Sequence, residues 1–256
     1  MQARQAMCWS GPASFAIAAV GVAATATSIR RGDSPLLWAP LMYFTAIEVL
    51  QGYSYSFVGQ CALPQNQVAA LLAYIHIAFQ PLVVCCFAGA FIPSDVRKVY
   101  LPVSIVAGSL AAAYLLIQVY PFDWAAPCRL GRVLCSEKLC VMRESWHLGW
   151  HIPMNDVGER VPAALLGAHV QLNLPVYTLV MFGLPILFGA WRIVLYQLAI
   201  GPSFAWLTTD SPTEFPAIWC LFSLGIVMLV VFTPLRDVMR TDKWLLWDLL
   251  RRQARN

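Results

Sequence analysis

Long apolar runs separated by short polar turns dominate this chain. Seven of them reach or approach the roughly 20 residues that a helix needs to cross a bilayer. Prolines stand at or near the ends of several runs, where they are tolerated or stop a helix. The pattern predicts an all-α fold, a polytopic membrane bundle of about seven transmembrane helices. We expect these helices over 12–29, 36–57, 67–91, 99–119, 172–191, 193–208 and 215–235.

Composition supports this interpretation. Apolar residues make up 59% of the chain and charged residues only 12%, whereas a soluble domain carries about 25% charged residues. The mean hydropathy is +0.65. No compact basic cluster indicates a nucleic-acid partner, so we expect membrane lipids as the surrounding partner, and the sequence does not define an oligomeric state.

Basic residues are concentrated in alternate turns. Cytoplasmic turns of membrane proteins are enriched in lysine and arginine. This asymmetry predicts an N-terminus outside and a C-terminus in the cytoplasm, in a bacterial inner (plasma) membrane. The basic positions are Arg30, Arg31, Arg97, Lys98, Arg192 and six residues from Arg236 to Arg255.

We expect a single domain. Residues 1–235 would form the bundle, with an extracytoplasmic loop at 120–171. Residues 236–256 alternate aromatic and aliphatic side chains with basic ones, which predicts an amphipathic tail lying in the cytoplasmic interface.

Two ionisable residues interrupt neighbouring apolar runs. Glu48 and His76 each lie about nine residues from the outer end of their predicted helices, which places both about 13 Å below the outer surface. Gln51 and Tyr55 share a helical face with Glu48, and Gln80 follows His76 by one turn. Ionisable groups at membrane depth are costly, and they usually pair, line a wet cavity or bind something. We therefore expect an outward-facing polar pocket, serving either as a hydrogen-bonded helix pair or as a ligand, metal or proton site.

A second constellation lies in the long loop. If residues 143–151 are helical, Glu144, His147 and His151 fall on one face at i, i+3 and i+7. Two histidines at i, i+4 are the spacing by which a helix presents imidazoles to one metal ion. These residues predict one divalent metal ion, zinc or iron, held by His147, His151, His76 and Glu48, with Glu48, His76 and Glu144 in catalytic roles. The alternative is a structural segment anchored at the interface by Trp146 and Trp150.

The start of the last apolar run carries two further acids. Ser211 to Glu214 has the pattern of a capping box with proline at the first helical position. Glu214 would then cap its helix. Asp210 would either cap or face the pocket.

Five cysteines fall on the predicted outer side, where disulfides can form. Cys135 and Cys140 are close enough in sequence to bridge locally, and Cys128 could pair with Cys61 or Cys8. The alternative, a zinc site built from loop cysteines, lacks any C-x₂-C pair.

Several stretches together resemble a family of bacterial and algal multi-span membrane proteins of unknown function. The resemblance covers most of the chain and implies no established activity. The stretches are Met7–Cys8–Trp9–Ser10, Tyr43 to Glu48, His76 to Pro81, Trp146–His147 with Pro153, and Glu214 to Ser223.

A more distant analogy is to the alkaline ceramidase and progestin-receptor-like superfamily of seven-helix zinc hydrolases. Proteins of that superfamily bind zinc through a histidine of one helix and a His-x-x-x-His of the last. This chain offers His76 with His147 and His151, but its last helix contains no histidine.

Three functions fit these observations. The first is a metal-dependent, hydrolase-like membrane enzyme that acts on a lipid or other amphiphile through a metal-bound water. The second is a proton-coupled transporter or ligand-binding protein that uses Glu48 and His76. The third is a non-catalytic subunit of a larger membrane complex.

Overall fold

A computed structural model of the chain describes residues 9–158 and 175–247, and helices dominate this part. One two-stranded sheet interrupts them. The helices are α1 (Gly11–Arg30), α2 (Pro35–Ser54), α3 (Pro64–Ala88), α4 (Ser94–Leu116), α5 (Pro175–Thr178), α6 (Leu184–Leu187), α7 (Trp191–Ile200), α8 (Pro202–Thr208), α9 (Phe215–Phe232) and α10 (Leu235–Val238), and the strands are β1 (Cys140–Arg143) and β2 (Leu148–His151). A π-helical segment, Leu179–Gly183, joins α5 to α6, and short 3₁₀ turns extend α3 and α4.

Four helices of the described chain are long and apolar enough to cross a membrane. They are Gly11–Arg30, Pro64–Phe91, Ser94–Val119 and Phe215–Phe232. α2 has the same 20-residue length as α1, but polar residues such as Glu48 and Gln51 interrupt its apolar run. The helical, membrane-compatible fold is therefore confirmed, whereas the number of seven spans stays a prediction.

The predicted fifth and sixth spans differ most from the structure. Of the range 172–191, residues 172–174 lie outside the described residues, and the remainder contains the π-helical segment and a turn at Gly189, where φ is +94°. The predicted helix 193–208 is two short helices that meet at Gly201 and Pro202. Proline has no N–H to continue the first helix, so the chain breaks there.

One end of the bundle holds a group of basic residues that includes Arg192 and Arg236, and we call it the basic end. Arg236 Nη1 lies 2.8 Å from Asp33 Oδ1, and Arg192 donates to the carbonyls of Val238 and Arg240 at 3.2 and 2.8 Å. Burial by itself raises the pKa of Asp33, but hydrogen bonds from Arg236 and Ser28 outweigh it and lower that pKa. Arg192 and Arg236, two of the described residues that the sequence assigned to one side of the membrane, thus lie at one end of the molecule.

The predicted tail only partly behaves as a surface segment. Leu245 is 89% exposed, but Trp247 is 1% exposed and its indole N–H donates to the Phe188 carbonyl at 2.8 Å. Trp247 therefore packs into the protein, and the position of the tail at the membrane interface stays a prediction. Residues 248–256 of this predicted tail lie outside the described residues.

The opposite end of the bundle is covered by residues 120–158, which we call the cap. Its centre is the antiparallel hairpin of β1 and β2, in which Cys140 pairs with His151 and Arg143 with Leu148. The condition that residues 143–151 are helical, under which Glu144, His147 and His151 would share one face, is therefore not met. Gly149 disfavours a helix, and the tie of Cys140 to the bundle, described below, favours an extended chain. Trp150, 1% exposed, suits a half-buried strand.

α1 packs on α2 through its small residues. A Cβ added at Gly21 would lie 2.2 Å from the Thr45 hydroxyl, so only glycine permits this approach. The other faces of α1 expose apolar side chains such as Val22, at 59%. The core of the molecule lies instead among α2, α3, α9 and the inner surface of the cap.

Candidate functional site

Two disulfides brace the cap. Cys61, in the turn between α2 and α3, is bonded to Cys140 at the start of β1, and Cys128 is bonded to Cys135. The four cysteines chosen from the sequence are the ones that bond, but the predicted Cys135–Cys140 pair is wrong. The hairpin holds Cys140 against the α2–α3 turn, so its nearest thiol belongs to a residue distant in sequence. Cys8 lies outside the described residues.

Asn66, in the first turn of α3, supports the same attachment. It is fully buried, and its amide group donates to the carbonyls of Phe57 and Val141 at 2.9 Å each. Its oxygen accepts from the Val141 N–H at 2.8 Å. Hydrogen bonds and a disulfide together fix β1 on the helix ends.

Glu214 is the hub of a buried network between the cap and α9. Its carboxylate is 0% exposed and accepts from the N–H groups of Trp146, at 2.7 Å, and His147. The hydroxyls of Ser145, at 3.0 Å, and Thr209 also donate to it. A buried carboxylate needs such donors, because an unpartnered charge in the interior is very costly.

This arrangement corrects the predicted capping box. The Ser211 hydroxyl accepts from the Glu214 N–H at 3.4 Å, as the first half of a box requires. The Glu214 side chain, however, does not return to its own helix and binds the hairpin turn instead. Glu214 therefore joins the cap to the bundle.

His147 lies inside this network and is also 0% exposed. Its Nε2 lies 2.8 Å from Gln51 Oε1, an acceptor, and its Nδ1 bonds to the Tyr55 hydroxyl. Because Gln51 Nε2 donates to the Ala217 carbonyl, His147 must donate from Nε2 and accept at Nδ1, as a neutral imidazole does. Burial lowers the pKa of His147 to about 3. Both ring nitrogens are thus hydrogen-bonded to protein groups, and the role of His147 as a metal ligand stays a prediction.

His151 and Glu144 form a separate pair on the outer face of the hairpin. Their side chains are 23% and 22% exposed, and His151 Nε2 lies 2.9 Å from Glu144 Oε1. Thr213 also donates to Glu144, at 3.0 Å. The hydrogen bond from His151 is the main cause that lowers the pKa of Glu144. Since the two histidines lie in a hairpin and not on one helix face, they point to different neighbours and do not share a ligand.

Glu48 and His76 are not joined by a hydrogen bond. Glu48 is 0% exposed, and neither carboxylate oxygen has a hydrogen-bond partner among the described residues. Ser14 of α1 faces it. His76 instead stacks on Tyr43, with ring centroids 3.9 Å apart, and its Nε2 is also unpartnered in the part of the chain that the structure describes. The predicted Gln51 and Tyr55 partners of Glu48 belong to the His147 network.

The predicted metal ligands therefore fall into three places: the bundle interior, the hairpin turn and the outer face of the cap. Within residues 9–158 and 175–247, no group of three His, Cys, Asp or Glu side chains is close enough to hold a metal ion. Nothing in this geometry supports the metal site expected from the sequence.

A cavity of about 320 Å³ lies among the described parts of α3, α5, α7, α8 and α9 and the cap. Its walls are mostly aromatic and aliphatic, and Phe182 stacks on Trp219 with their rings 13° from parallel. The volume lies at the lower end of the range for small-molecule sites. The wall residues include Ile77, Tyr177, Phe182, Trp206, Phe215 and Trp219.

Gln80 and Thr178 are polar residues in this mostly apolar wall, and Gln80 has a donor that is unpartnered among the described residues. It is 1% exposed, its Nε2 has no hydrogen-bond partner in the described chain, and its Oε1 has only a 3.9 Å contact with the Cys220 thiol. Buried amides without a partner are rare because each costs free energy. An unpartnered donor beside an apolar cavity fits a ligand that carries one hydrogen-bond acceptor.

The cap closes one side of the cavity through the short loop that the Cys128–Cys135 disulfide encloses. Val133 and Leu134 of this loop line the wall. Leu134 has a φ of 68°, which a branched side chain adopts only at a cost. Hydrogen bonds to Pro212, at 3.2 Å, and Ile152, at 2.9 Å, hold its backbone there. The strained residue thus lies at the candidate site.

Fold and site together define a class of protein: a helical bundle with four helices long and apolar enough to span a membrane, closed at one end by a disulfide-braced cap. The model of a protein family of unknown function, DUF5765, matches residues 12–240 of the chain. The chain belongs to that family. Comparison with curated proteins and with solved structures finds no match.

The sequence identified the polar residues but missed their partners. Glu214 and Gln51, which are 163 positions apart in sequence (214 − 51), both bond to His147 only because the cap folds back on the bundle. For Glu214, the sequence signal of a buried role was an acid without a nearby basic residue at the start of an apolar run. Val133 and Leu134 gave no signal, because their role depends on the disulfide loop.

Proposed function

We propose that the protein is an integral membrane protein that binds an amphiphilic small molecule in the cavity beside Gln80. One observation carries this proposal: an apolar, aromatic-lined cavity of about 320 Å³ that contains an unpartnered buried amide. Sites for small molecules combine apolar walls with few polar groups that fix orientation. The ligand would have an apolar body and a hydrogen-bond acceptor for Gln80 Nε2.

The proposed orientation places the cap outside the cytoplasm. Disulfides persist in oxidising compartments, and both lie in or at the cap. The basic end would then face the cytoplasm, in agreement with the positive-inside rule. In this proposal α2, α5 with α6, and α7 with α8 also pass between the two ends, which gives the seven passes expected from the sequence.

Binding can be tested with 1-decanol on protein in nanodiscs, with empty nanodiscs as the blank for partitioning into lipid. We expect saturable binding of one decanol per protein. Gln80→Leu should weaken it about threefold to tenfold, because one neutral hydrogen bond is lost. Leu198→Trp, which places a larger side chain in the cavity wall, should abolish it.

Gln197→Leu is the matched control for Gln80→Leu. Gln197 is 6% exposed and its Oε1 also has no partner in the described chain, but it does not line the cavity. The Gln197→Leu variant should bind decanol like the unaltered protein. Absence of saturable binding would contradict the proposal, and equal effects of the two glutamine variants would contradict the role of Gln80 in it.

Proton-coupled transport of the same ligand is a second candidate, favoured by Glu48. This carboxyl is fully buried without a hydrogen-bond partner in the described chain, and intramembrane acids often carry protons in transporters. In this case Glu48→Gln would leave decanol binding intact but stop uptake driven by a pH gradient. Uptake that survives the substitution would reject transport and leave binding in place.

A further inference from the structure

A cleft of about 300 Å³ lies at the basic end of the bundle, between the start of α4 and the segment that follows α10. It shares no described wall residue with the apolar cavity beside Gln80. The N–H group of Thr241 donates to the Phe91 carbonyl at 3.0 Å and ties the two sides of the cleft together. The cleft is therefore a separate space, at the end of the molecule opposite the cap.

Two arginines line this cleft. The Nε–H group of Arg97 donates to the Gly89 carbonyl at 2.7 Å, and Nη2 donates to the Ile92 carbonyl at 2.9 Å. These bonds hold the guanidinium in place and use only part of its donor capacity. Arg240 lies close enough that the two positive charges repel each other. An anion between two such groups replaces repulsion with attraction.

The acids near the cleft do not cancel this charge. Of the described wall residues, Asp242 alone is acidic, so the wall keeps a net charge of +1 (2 − 1). Asp237 Oδ1 lies 3.8 Å from Arg240 Nη1, with the two side chains 78% and 55% exposed, and an exposed pair of this kind contributes little. Asp95, in the first turn of α4, does not line the cleft.

The start of α4 also faces an anion favourably. This helix is 23 residues long, and its N-cap residue, Pro93, makes no side-chain capping bond. Pro93 and Ser94 both line the cleft. Because the first N–H groups of a helix lack partners within it and carry partial positive charge, a helix start without a side-chain cap suits a negatively charged ligand.

Thr241 is the independent sign of a ligand. It lines the cleft and is 4% exposed, yet its hydroxyl has no hydrogen-bond partner in the part of the chain that the structure describes. A buried hydroxyl without a partner is uncommon because it costs free energy. An oxygen of a ligand in the cleft would accept from this hydroxyl.

We infer that this cleft binds a phosphate group through Arg97, Arg240 and Thr241, at the start of α4. Arginine suits phosphate because its planar fork of donors matches the phosphate oxygens. A tetrahedral phosphate also presents oxygens to donors on both sides of the cleft. The phosphate belongs either to the head group of an anionic phospholipid or to a soluble compound. This site goes beyond the proposed function, since it does not involve the cavity beside Gln80.

Two probes distinguish the two sources: dioctanoyl phosphatidylglycerol and inorganic phosphate. Isothermal titration of the full chain in dodecyl maltoside micelles suits both, because these micelles contain no phosphate, and protein-free micelles give the blank for partitioning. We expect saturable binding of one phosphate group per protein. Dioctanoylglycerol, which has the same chains without the phosphate, should bind at least tenfold more weakly than the phospholipid, because charge-assisted hydrogen bonds are lost.

Two variants test the assigned residues. Thr241→Val keeps the shape of the side chain and should weaken binding about tenfold, because a hydrogen bond to a charged acceptor is lost. Arg240→Gln should weaken it about threefold to fivefold, the range for a partly exposed charge. Arg30→Gln is the matched control, since Arg30 is an exposed arginine at the end of α1 that does not line the cleft. It should bind both probes like the unaltered protein.

Tighter binding of the phospholipid than of inorganic phosphate would assign the site to a lipid head group, and equal binding would assign it to a soluble phosphate compound. The inference is overturned if neither probe binds saturably, if dioctanoylglycerol binds as tightly as the phospholipid, or if Thr241→Val has no effect. An effect of Arg30→Gln as large as that of Arg240→Gln would also overturn it. Decanol binding, measured separately, decides the proposed function in every case.

Discussion

At the scale of single residues, two buried side chains connect the cap to the bundle. Glu214 collects donors from the hairpin turn and from the α8–α9 connection, and His147 reaches into α2. Neither side chain offers an unused hydrogen-bonding atom for chemistry, because protein groups bond to both carboxylate oxygens of Glu214 and to both ring nitrogens of His147. These residues stabilise the site without contacting the proposed ligand.

Replacing Glu214 with glutamine should strongly destabilise the protein. The amide NH₂ would face donors that now point at a carboxylate, and hydrogen bonds to charged groups contribute more than neutral ones. We expect a loss on the order of 3 kcal/mol, measured by thermal unfolding followed by near-ultraviolet circular dichroism. Glu137→Gln, at an exposed position of the cap, should have almost no effect, and an equal loss in both variants would contradict the role of Glu214.

His147 should make stability depend on pH. Burial lowers its pKa from 6.5 to about 3, so below about pH 6.5 the unfolded chain binds a proton that the folded protein does not. The free energy of unfolding should therefore fall with falling pH, by about 1.5 kcal/mol between about pH 6.5 and pH 5.

His147→Gln removes this titration and keeps a donor and an acceptor. The difference between the two pH profiles isolates His147 from the other titrating groups. Parallel profiles for the two proteins would show that His147 is accessible to protons in the folded state.

At the scale of elements, the helices could be predicted from the sequence, whereas the hairpin and the disulfide pairing could not. The helix starts and ends of α1 to α4 were predicted within a few residues, because apolar periodicity and proline are local signals. The structure of 143–151 could not be predicted, because the spacing of its histidines fits a hairpin turn as well as a helix. Cys61, the disulfide partner of Cys140 that helps to hold this hairpin extended, lies 79 positions away. Non-local ties of this kind leave no trace in a local pattern.

The two disulfides should contribute unequally to stability. In the loop-entropy account, Cys61–Cys140, with a separation of 79, stabilises by about 4 kcal/mol, and Cys128–Cys135, with a separation of 7, by about 2 kcal/mol. We expect Cys61→Ser with Cys140→Ser to lower the unfolding temperature more than the corresponding change of the second pair.

Removal of the two disulfides should affect ligand binding in the opposite order, with the larger effect from Cys128–Cys135. The Cys128–Cys135 disulfide closes the short loop that carries the wall residues Val133 and Leu134, so removal of this disulfide should weaken decanol binding more per unit of lost stability. Loss of binding in proportion to stability in both variants would mean that the loop has no particular role at the cavity.

At the scale of the whole molecule, the two ends of the bundle differ in their chemistry. Basic residues such as Arg192 and Arg236 are grouped at one end and the two disulfides lie at the other, and the sequence predicted such a division from the positions of basic residues and cysteines. The cavity could not be predicted in this way, because five helices and a loop of the cap, spread from Ile77 to Trp219 along the chain, contribute to its wall.

The orientation predicts the behaviour of reporter fusions in a bacterial inner membrane. Green fluorescent protein fused after residue 256 should fluoresce, because it folds in the cytoplasm, and alkaline phosphatase inserted at the exposed turn around Asp123 should be active outside. The reverse pattern would place the cap in the cytoplasm.

The most direct test of ligand binding is to map where a photoreactive decanol, carrying a diazirine at the end of its chain, attaches to the protein. The account predicts adducts on cavity residues such as Tyr177, Phe182 and Trp219, competed by excess decanol and reduced in Gln80→Leu. Adducts confined to exposed apolar residues of α4 such as Val106 and Leu110, 59% and 65% exposed, without competition, would contradict it.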